Sequence, residues 1–276
     1  MKAALITGAS SGIGEVFARR LAARGEHVVL VARSAERLDA VCNELGRAHA
    51  DVTCQSVALD LSAGDAPRQL FDETERRGLE VETLINNAGF GSMGEFLQLD
   101  PARELTMIDL NVKALVALTH LYLAPMRERR RGAIVNVAST AAFQAVPYMA
   151  TYAATKAFVL SFSEALWEEN RAHGVKVLAL CPGVTTTNFF DAAQIEQPPL
   201  RMAQTPEAVV DTALAALRRG RSHVISGWLN YLQTQAERLV PRALVTRIAG
   251  SAIRTNFKPR KPEVRSQKPE GEGGRQ

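Results

Sequence analysis

The chain has 276 residues, 46% of them apolar and 22% charged, which excludes a disordered or fibrous protein and leaves room for a sizeable buried core. Its net charge of +4 does not mark a nucleic-acid-binding face, because residues 257–276 hold six Lys/Arg against three Glu and leave the remainder near neutrality. The same tail is rich in proline and glycine and is expected to be disordered.

No uninterrupted apolar run of membrane-spanning length occurs: residues 112–126 come closest and contain Lys113 and His120, so no membrane span is expected. Residues 1–6 are too short for a signal peptide. Cys42, Cys54 and Cys181 are an odd, scattered set without a C-x-x-C pair, which points to reduced thiols and a cytoplasmic setting. Cys181 ends an apolar run and is expected to be a buried structural thiol.

In chain order, short aliphatic runs at 3–7, 27–32, 53–59, 83–86, 133–138, 176–180 and 222–225 predict strands. Helical periodicity fills the intervals at 14–24, 35–46, 66–77, 101–130, 151–173 and 206–218. This alternation predicts an α/β fold: a doubly wound, seven-stranded parallel sheet of Rossmann type with helices on both faces. No linker divides it, so residues 1–256 read as one domain, with 226–256 a helical extension.

The first strand runs into Thr7, Gly8, Ala9, Ser10, Ser11, Gly12, Ile13 and Gly14, and then into a helix. Glycines at these places let backbone approach a pyrophosphate, and the helix N-terminus beyond supplies N–H groups and a positive dipole end. The strand–loop–helix context makes this a dinucleotide site. The second strand ends at Ala32 and Arg33, where NAD-selective sites place an acidic residue. A guanidinium suits a 2′-phosphate, so NADP(H) is expected, although Arg33 could also cap an exposed strand end. Asp60, after the third strand, could accept from the adenine amino group. Arg127, Arg129, Arg130 and Arg131 lie where a helix ends and read as a solvated terminus rather than a phosphate site.

Tyr152 and Lys156 are four apart, which places both on one helix face, and Ser139 lies thirteen residues upstream of the tyrosine. An ammonium beside a phenol favours the phenolate and lowers the tyrosine pKa, as an acid/base for carbonyl or alcohol chemistry requires.

These residues together resemble the short-chain dehydrogenases/reductases over residues 2–225. The shared motifs are Thr7-Gly8-x-x-x-Gly12-x-Gly14, Asp60, Asn86-Asn87-Ala88-Gly89, Asn111, Ser139, Tyr152-x-x-x-Lys156 and Pro182-Gly183-x-x-x-Thr187, without a departure at the reactive positions. The resemblance implies that Tyr152 exchanges a proton with the substrate oxygen and that Ser139 hydrogen-bonds the same oxygen. It implies that Lys156 tunes Tyr152 and holds the nicotinamide ribose, and that Asn111 anchors a water chain to Lys156. The turn containing Asn87, Ala88 and Gly89 passes the cofactor, and Val184 and Thr187 meet the carboxamide. Plainer roles stand beside these: Ser139 as a strand-end cap, Asn111 as a helix-bending side chain, Thr187 as an N-cap. The resemblance also implies a homodimer or homotetramer paired through helices 101–130 and 151–173.

Segments 90–96, 141–149 and 189–202 are expected to line the substrate pocket with Phe90, Met93, Phe143, Tyr148, Met149, Phe189, Phe190, Leu200 and Met202. Such lining favours a bulky apolar carbonyl, for example a 3-oxoacyl thioester or a steroid-like ketone, with Arg201 as the one cation. Residues 228–257 alternate apolar positions with Arg238, Arg242, Arg247 and Arg254 and read as one or two basic amphipathic helices interrupted at Pro241. Packing or oligomer contact is favoured for them over peripheral contact with a membrane surface. The functional alternative is a non-catalytic NADP(H)-binding redox sensor, which loss of a reactive residue would favour; none is lost.

Overall fold

The computed structural model describes residues 1–187, 189 and 203–256. The expected tail 257–276 and the pocket positions Phe190, Leu200, Arg201 and Met202 lie outside the described residues. Seven parallel strands form one sheet: β1 (Lys2–Thr7), β2 (His27–Ala32), β3 (Cys54–Ala58), β4 (Glu80–Asn86), β5 (Gly132–Val137), β6 (Val175–Cys181) and β7 (His223–Ile225). The helices are α1 (Gly12–Ala22), α2 (Ala35–Ala48), α3 (Ala66–Arg76), α4 (Pro101–Ile108), α5 (Leu115–Glu128), α6 (Ala150–Asn170), α7 (Pro206–Arg218), α8 (Trp228–Glu237) and α9 (Arg242–Asn256).

The strand order is β3-β2-β1-β4-β5-β6-β7. The chain winds outward from β1 to β3, crosses back, and winds the other way from β4. That reversal opens a crevice at the carboxyl ends of β1 and β4, where doubly wound sheets bind ligands.

Strand residues alternate between two cores, as a side-chain period of two requires. Ile6, Leu30, Ile85 and Leu178 pack with α1, α2 and α7 through Phe17, Leu38 and Val209. Leu5, Val29, Leu84 and Val177 face the other way, toward Leu70 of α3 and Leu118, Tyr122 and Met126 of α5. Both faces are therefore dry, and continuous aliphatic strands are the result.

Three details differ from expectation. The predicted helix 101–130 is not one regular α-helix: a π-helical turn, Asp109–Ala114, separates α4 from α5 and carries Asn111. The stretch Pro101–Glu128 is, by length and composition, apolar enough to cross a membrane. Here its Leu118, Tyr122 and Met126 pack on the sheet. Cys42 and Cys54 are not reduced thiols but a disulfide, with Cα atoms 5.2 Å apart. The cause is topological, since α2 returns along β2 and delivers Cys42 to the start of β3, both half-buried against the same core. Cys181 is free and buried, as expected.

The arginines after α5 are also not merely solvated. Arg131 bonds Glu80 at 2.9 Å, Arg130 reaches the Ala172 carbonyl at 2.8 Å, and Arg129 donates to the Val81 carbonyl. They clamp the amino-terminal edge of the sheet, away from the crevice.

Candidate active site

The crevice floor begins at Thr7, whose hydroxyl donates to the Ile85 carbonyl at 3.2 Å and accepts from the backbone N–H groups of Asn87 and Ala88, both at 3.0 Å. The Asn87 side chain answers by donating to the Thr7 and Gly8 carbonyls at 2.9 and 3.1 Å. The ends of β1 and β4 are thus laced together.

Over this lacing the glycine loop turns sharply, with φ of +64° at Gly8 and +59° at Gly12, values that glycine adopts without strain. At Gly14 the need is space: a Cβ would sit 2.3 Å from the Gly8 oxygen and 2.5 Å from Asn87 Nδ2. Ser10, Ser11 and Ile13 are half-exposed along the loop, and Ser11 stands at the N-cap of α1 without a side-chain capping bond. A Cβ on Gly12 would meet Thr187 at 3.0 Å, so the loops after β1 and β6 face each other across a narrow gap.

Arg33 is exposed at the end of β2, and its charge helps to hold the Asp60 carboxyl below its ordinary range. The larger cause is Ser62, whose hydroxyl and backbone N–H both donate to Asp60 Oδ1, at 2.7 and 3.0 Å.

The loop Pro182, Gly183, Val184 and Thr187 is held by Gln204, whose N–H donates to Val184 and whose carbonyl accepts from Thr186. Asn230 of α8 lies where a Cβ on Gly183 would fall, 2.4 Å from its Nδ2. Thr187 Oγ1 accepts from the Phe189 N–H at 3.3 Å. Gln204 and Asn230 had no signal in the sequence, because Gln204 holds the loop through its backbone and Asn230 reaches it from α8 with a side chain that also bonds Ser226.

Ser139, Tyr152 and Lys156 converge at the ends of β5 and α6. Ser139 accepts from the Ala141 N–H at 3.1 Å, so it is a cap, and its hydroxyl also hydrogen-bonds the Tyr152 phenol. Burial pushes Tyr152 up to about 12, against which the Ser139 bond pulls down. The downward pull expected from Lys156 does not dominate. Its Nζ donates to the Val137 carbonyl at 2.8 Å, and burial lowers it to about 8, so it stays mostly charged at neutral pH but loses its proton well before an ordinary lysine would. Cys181 behind it is pushed up to about 12 by burial and faces the lysine as a neutral thiol.

The Asn111 side chain is tied to its neighbours. Its amide donates to the Phe90 carbonyl at 3.0 Å and to Thr155 Oγ1 at 3.2 Å, and its oxygen accepts from the Phe90 N–H at 3.1 Å. Both N–H groups are used, so a proton-relaying water would have to meet its main-chain carbonyl or the second lone pair of Oδ1. Gly89 sits between Asn111 and Lys156: a Cβ there would lie 2.8 Å from Asn111 Oδ1 and 3.6 Å from Lys156 Nζ. The π turn is what places Asn111 there, as such turns do at functional sites.

The side of the crevice expected to take the substrate is apolar. Met93, Met149, Val184 and Phe189 pack together, and the Phe189 ring lies 5.4 Å from the Tyr152 ring. Gly91 fits against both rings, a Cβ there standing 2.8 Å from Phe189 Cζ and 3.2 Å from Tyr152 Cδ2. Tyr148, at φ +67°, accepts from the Gly94 N–H at 2.9 Å and joins the two described pocket segments. Beyond it opens a cavity of about 300 Å³ lined by Gly94, Glu95, Phe96, Leu99, Tyr148 and Ala150.

These parts fit a dinucleotide: a left-handed glycine turn that no Cβ could share, a free-standing cation at the end of β2, and a second glycine-bearing loop opposite. A family model described as short chain dehydrogenase matches residues 2–198. The very-long-chain 3-oxoacyl-CoA reductase of Macaca fascicularis is 34% identical over 238 residues, covering 82% of this chain and 73% of the relative. A short-chain dehydrogenase from Sphingobium yanoikuyae, solved in complex with NADPH, superposes with a TM-score of 0.78 at 32% identity, covering 87% of this chain and 94% of that one. The bulky-bulky ketone specific alcohol dehydrogenase from Comamonas testosteroni gives a TM-score of 0.73 at 30% identity, over 88% and 96% of the two chains.

Proposed function

This chain belongs to the short-chain dehydrogenase/reductase family, oxidoreductases of alcohol and carbonyl groups, and from that premise we propose that it reduces bulky apolar ketones with NADPH, 3-oxoacyl thioesters foremost. The observation that carries the substrate class is the cluster of Met93, Met149, Val184 and Phe189 set against Tyr152, which shelters an apolar chain and offers a polar sugar nothing to bond. The named activity of the Macaca relative and the bulky-ketone preference in the Comamonas title point the same way. NADPH over NADH rests on Arg33, exposed where a 2′-phosphate would lie.

The nicotinamide, when bound, supplies a hydride to the carbonyl carbon. The chain's own residues do the rest. Tyr152, held protonated by burial, gives its phenolic proton to the carbonyl oxygen as negative charge develops there. The Ser139 hydroxyl donates to the same oxygen and fixes its position. Lys156, poised near 8, replenishes the tyrosine proton and bonds the ribose. Gly8, Gly12, Gly14, Ala88 and Gly89 leave backbone room for the cofactor, and Pro182 to Thr187 close over its far end.

The test is NADPH oxidation with 3-oxoacyl thioesters of increasing chain length, ketosteroids and small polar ketoses, with NADH in parallel. Rising kcat/KM with chain length is expected. A preference for the ketoses, or for NADH, would overturn the corresponding half of the reading.

A further inference from the structure

Helices α8 and α9 bury only part of their apolar surface: Val245, Ala249 and Ile253 are half-buried, but most of the larger side chains are not. Of the twelve large apolar side chains exposed among the described residues, seven fall between residues 228 and 248. Trp228 is 70% exposed, Leu239 88% and Ile248 59%, with Leu229, Leu232 and Leu244 beside them. Singly exposed apolar residues are ordinary, but a cluster of this density marks an interaction face.

The charge around the cluster is one-sided. Arg238, Arg242, Arg247 and Arg254 are all exposed, and the single acid from 228 to 256 is Glu237, half-buried and with its carboxyl raised by that burial. Leu244 and Ile248 are one turn apart on α9, with Arg247 next to Ile248. The exposed surface of the two helices is thus apolar and positive together, with a tryptophan and a tyrosine among its residues.

Its position matters. Gly250 of α9 packs on Pro147 so closely that a Cβ would lie 3.1 Å from the proline ring. Pro147 precedes Tyr148, which walls the cavity beside Phe96 and Leu99. Leu97, between the cavity-lining Phe96 and Leu99 in sequence, is 96% exposed. α9 therefore packs on the segment that walls the cavity beside the apolar cluster near Tyr152.

We propose that α8 and α9 dock this face onto an anionic phospholipid surface, the arginines pairing with lipid phosphates while Trp228, Leu239, Leu244 and Ile248 enter the headgroup region. A second copy of the chain fits less well. A two-fold contact sets the same patch against itself, which would bring eight arginines together with only two half-buried glutamates to offset them. That the docked cleft takes its substrate from the lipid rests on the function proposed above; the docking itself does not.

The experiment is flotation of the full chain with phosphatidylcholine vesicles, with and without phosphatidylglycerol, at low and high salt, needing neither substrate nor turnover. Binding to the anionic vesicles is expected to exceed that to neutral ones by about tenfold or more and to fall with salt. The triple variant Arg238→Glu, Arg242→Glu, Arg247→Glu should lose it. Bromolipid quenching of the tryptophan emission, to which the exposed Trp228 and the half-buried Trp167 both contribute, provides a readout that needs no variant. Absence of flotation at low salt would overturn the proposal, as would flotation unchanged by the triple variant. So would a dimer, seen by light scattering, that Leu239→Glu dissociates in a chain that ignores vesicles.

Discussion

Lys156 gives an N–H of its Nζ to the Val137 carbonyl at 2.8 Å while that same nitrogen stands 5.7 Å from the centre of the Tyr152 ring. The lysine is therefore anchored to the end of β5 rather than to its neighbour on α6. Its folded pKa of about 8 lies below the ordinary 10.5, so between those values the unfolded chain binds more protons than the folded one. Stability carried by this residue must then rise with pH across that window, and its full penalty is present below pH 8. Urea unfolding of wild type and Lys156→Met at pH 7.5 and 9.5 should show wild type gaining about 2 kcal/mol relative to the variant, by 1.36 kcal/mol per pKa unit. A gap that does not move with pH would refute the depressed value.

Tyr152→Phe removes one oxygen from a buried site and leaves the ring contact with Phe189 in place. Turnover should fall by about 10³-fold, the usual span for a general acid. NADPH affinity, followed by fluorescence titration, should change by less than about tenfold, within the net worth of one hydrogen bond. Retained turnover would remove the phenol from the mechanism.

Gly14→Ala and Gly91→Ala separate backbone fit from pocket fit. The first drives a methyl group into the Gly8 carbonyl, which cannot move without the whole loop, and should cost about 1–3 kcal/mol in thermal unfolding together with cofactor affinity. The second meets the end of the Phe189 ring, which can turn aside. It should leave stability within about 1 kcal/mol but raise KM for bulky ketones more than for small ones.

Arg33→Asp should raise the KM for NADPH by about 10–100-fold, the worth of one or two charge-assisted hydrogen bonds, and spare NADH. Initial-rate kinetics with both cofactors decide it.

The Cys42–Cys54 bond closes a short loop, with twelve residues of separation, and should contribute about 2–3 kcal/mol on the chain-entropy account. Thiol titration in denaturant should find one group before reduction and three after. Three groups at the outset would remove the disulfide.

How much of this was legible beforehand follows from what kind of information each feature carries. Strand β2 and helix α7 stood at their observed limits because aliphatic runs and a Thr-Pro start are local signals. The disulfide was not legible: cysteines 42 and 54 meet only because α2 folds back over the sheet. The π turn leaves no periodic trace in six residues, so Asn111 appeared to lie in an ordinary helix. The catalytic trio was visible as spacing, but the balance between burial and charge at Tyr152 depends on surroundings that no spacing encodes. Gln204 and Asn230 were invisible for the same reason, since each meets the loop of Pro182 to Thr187 from further along the chain.

One buried chain of polar groups has a consequence for tolerance to change. Asn86 and Asn136 are register partners on β4 and β5, joined Nδ2 to Oδ1 at 2.9 Å, and Asn136 passes the contact on to Ser163 of α6 at 2.9 Å. Ser163 lies two turns beyond Lys156 on the same helix face. The chain of amides therefore works as a depth stop for α6, setting how far Tyr152 and Lys156 reach past the sheet edge. A slide of α6 by one residue would shift both by about 1.5 Å and orphan the Asn136 amide at once. Variation at positions 86, 136 or 163 should thus be felt as mistimed chemistry in a chain that still folds, and a laboratory selection for turnover alone would rediscover these three residues without ever touching a reactant.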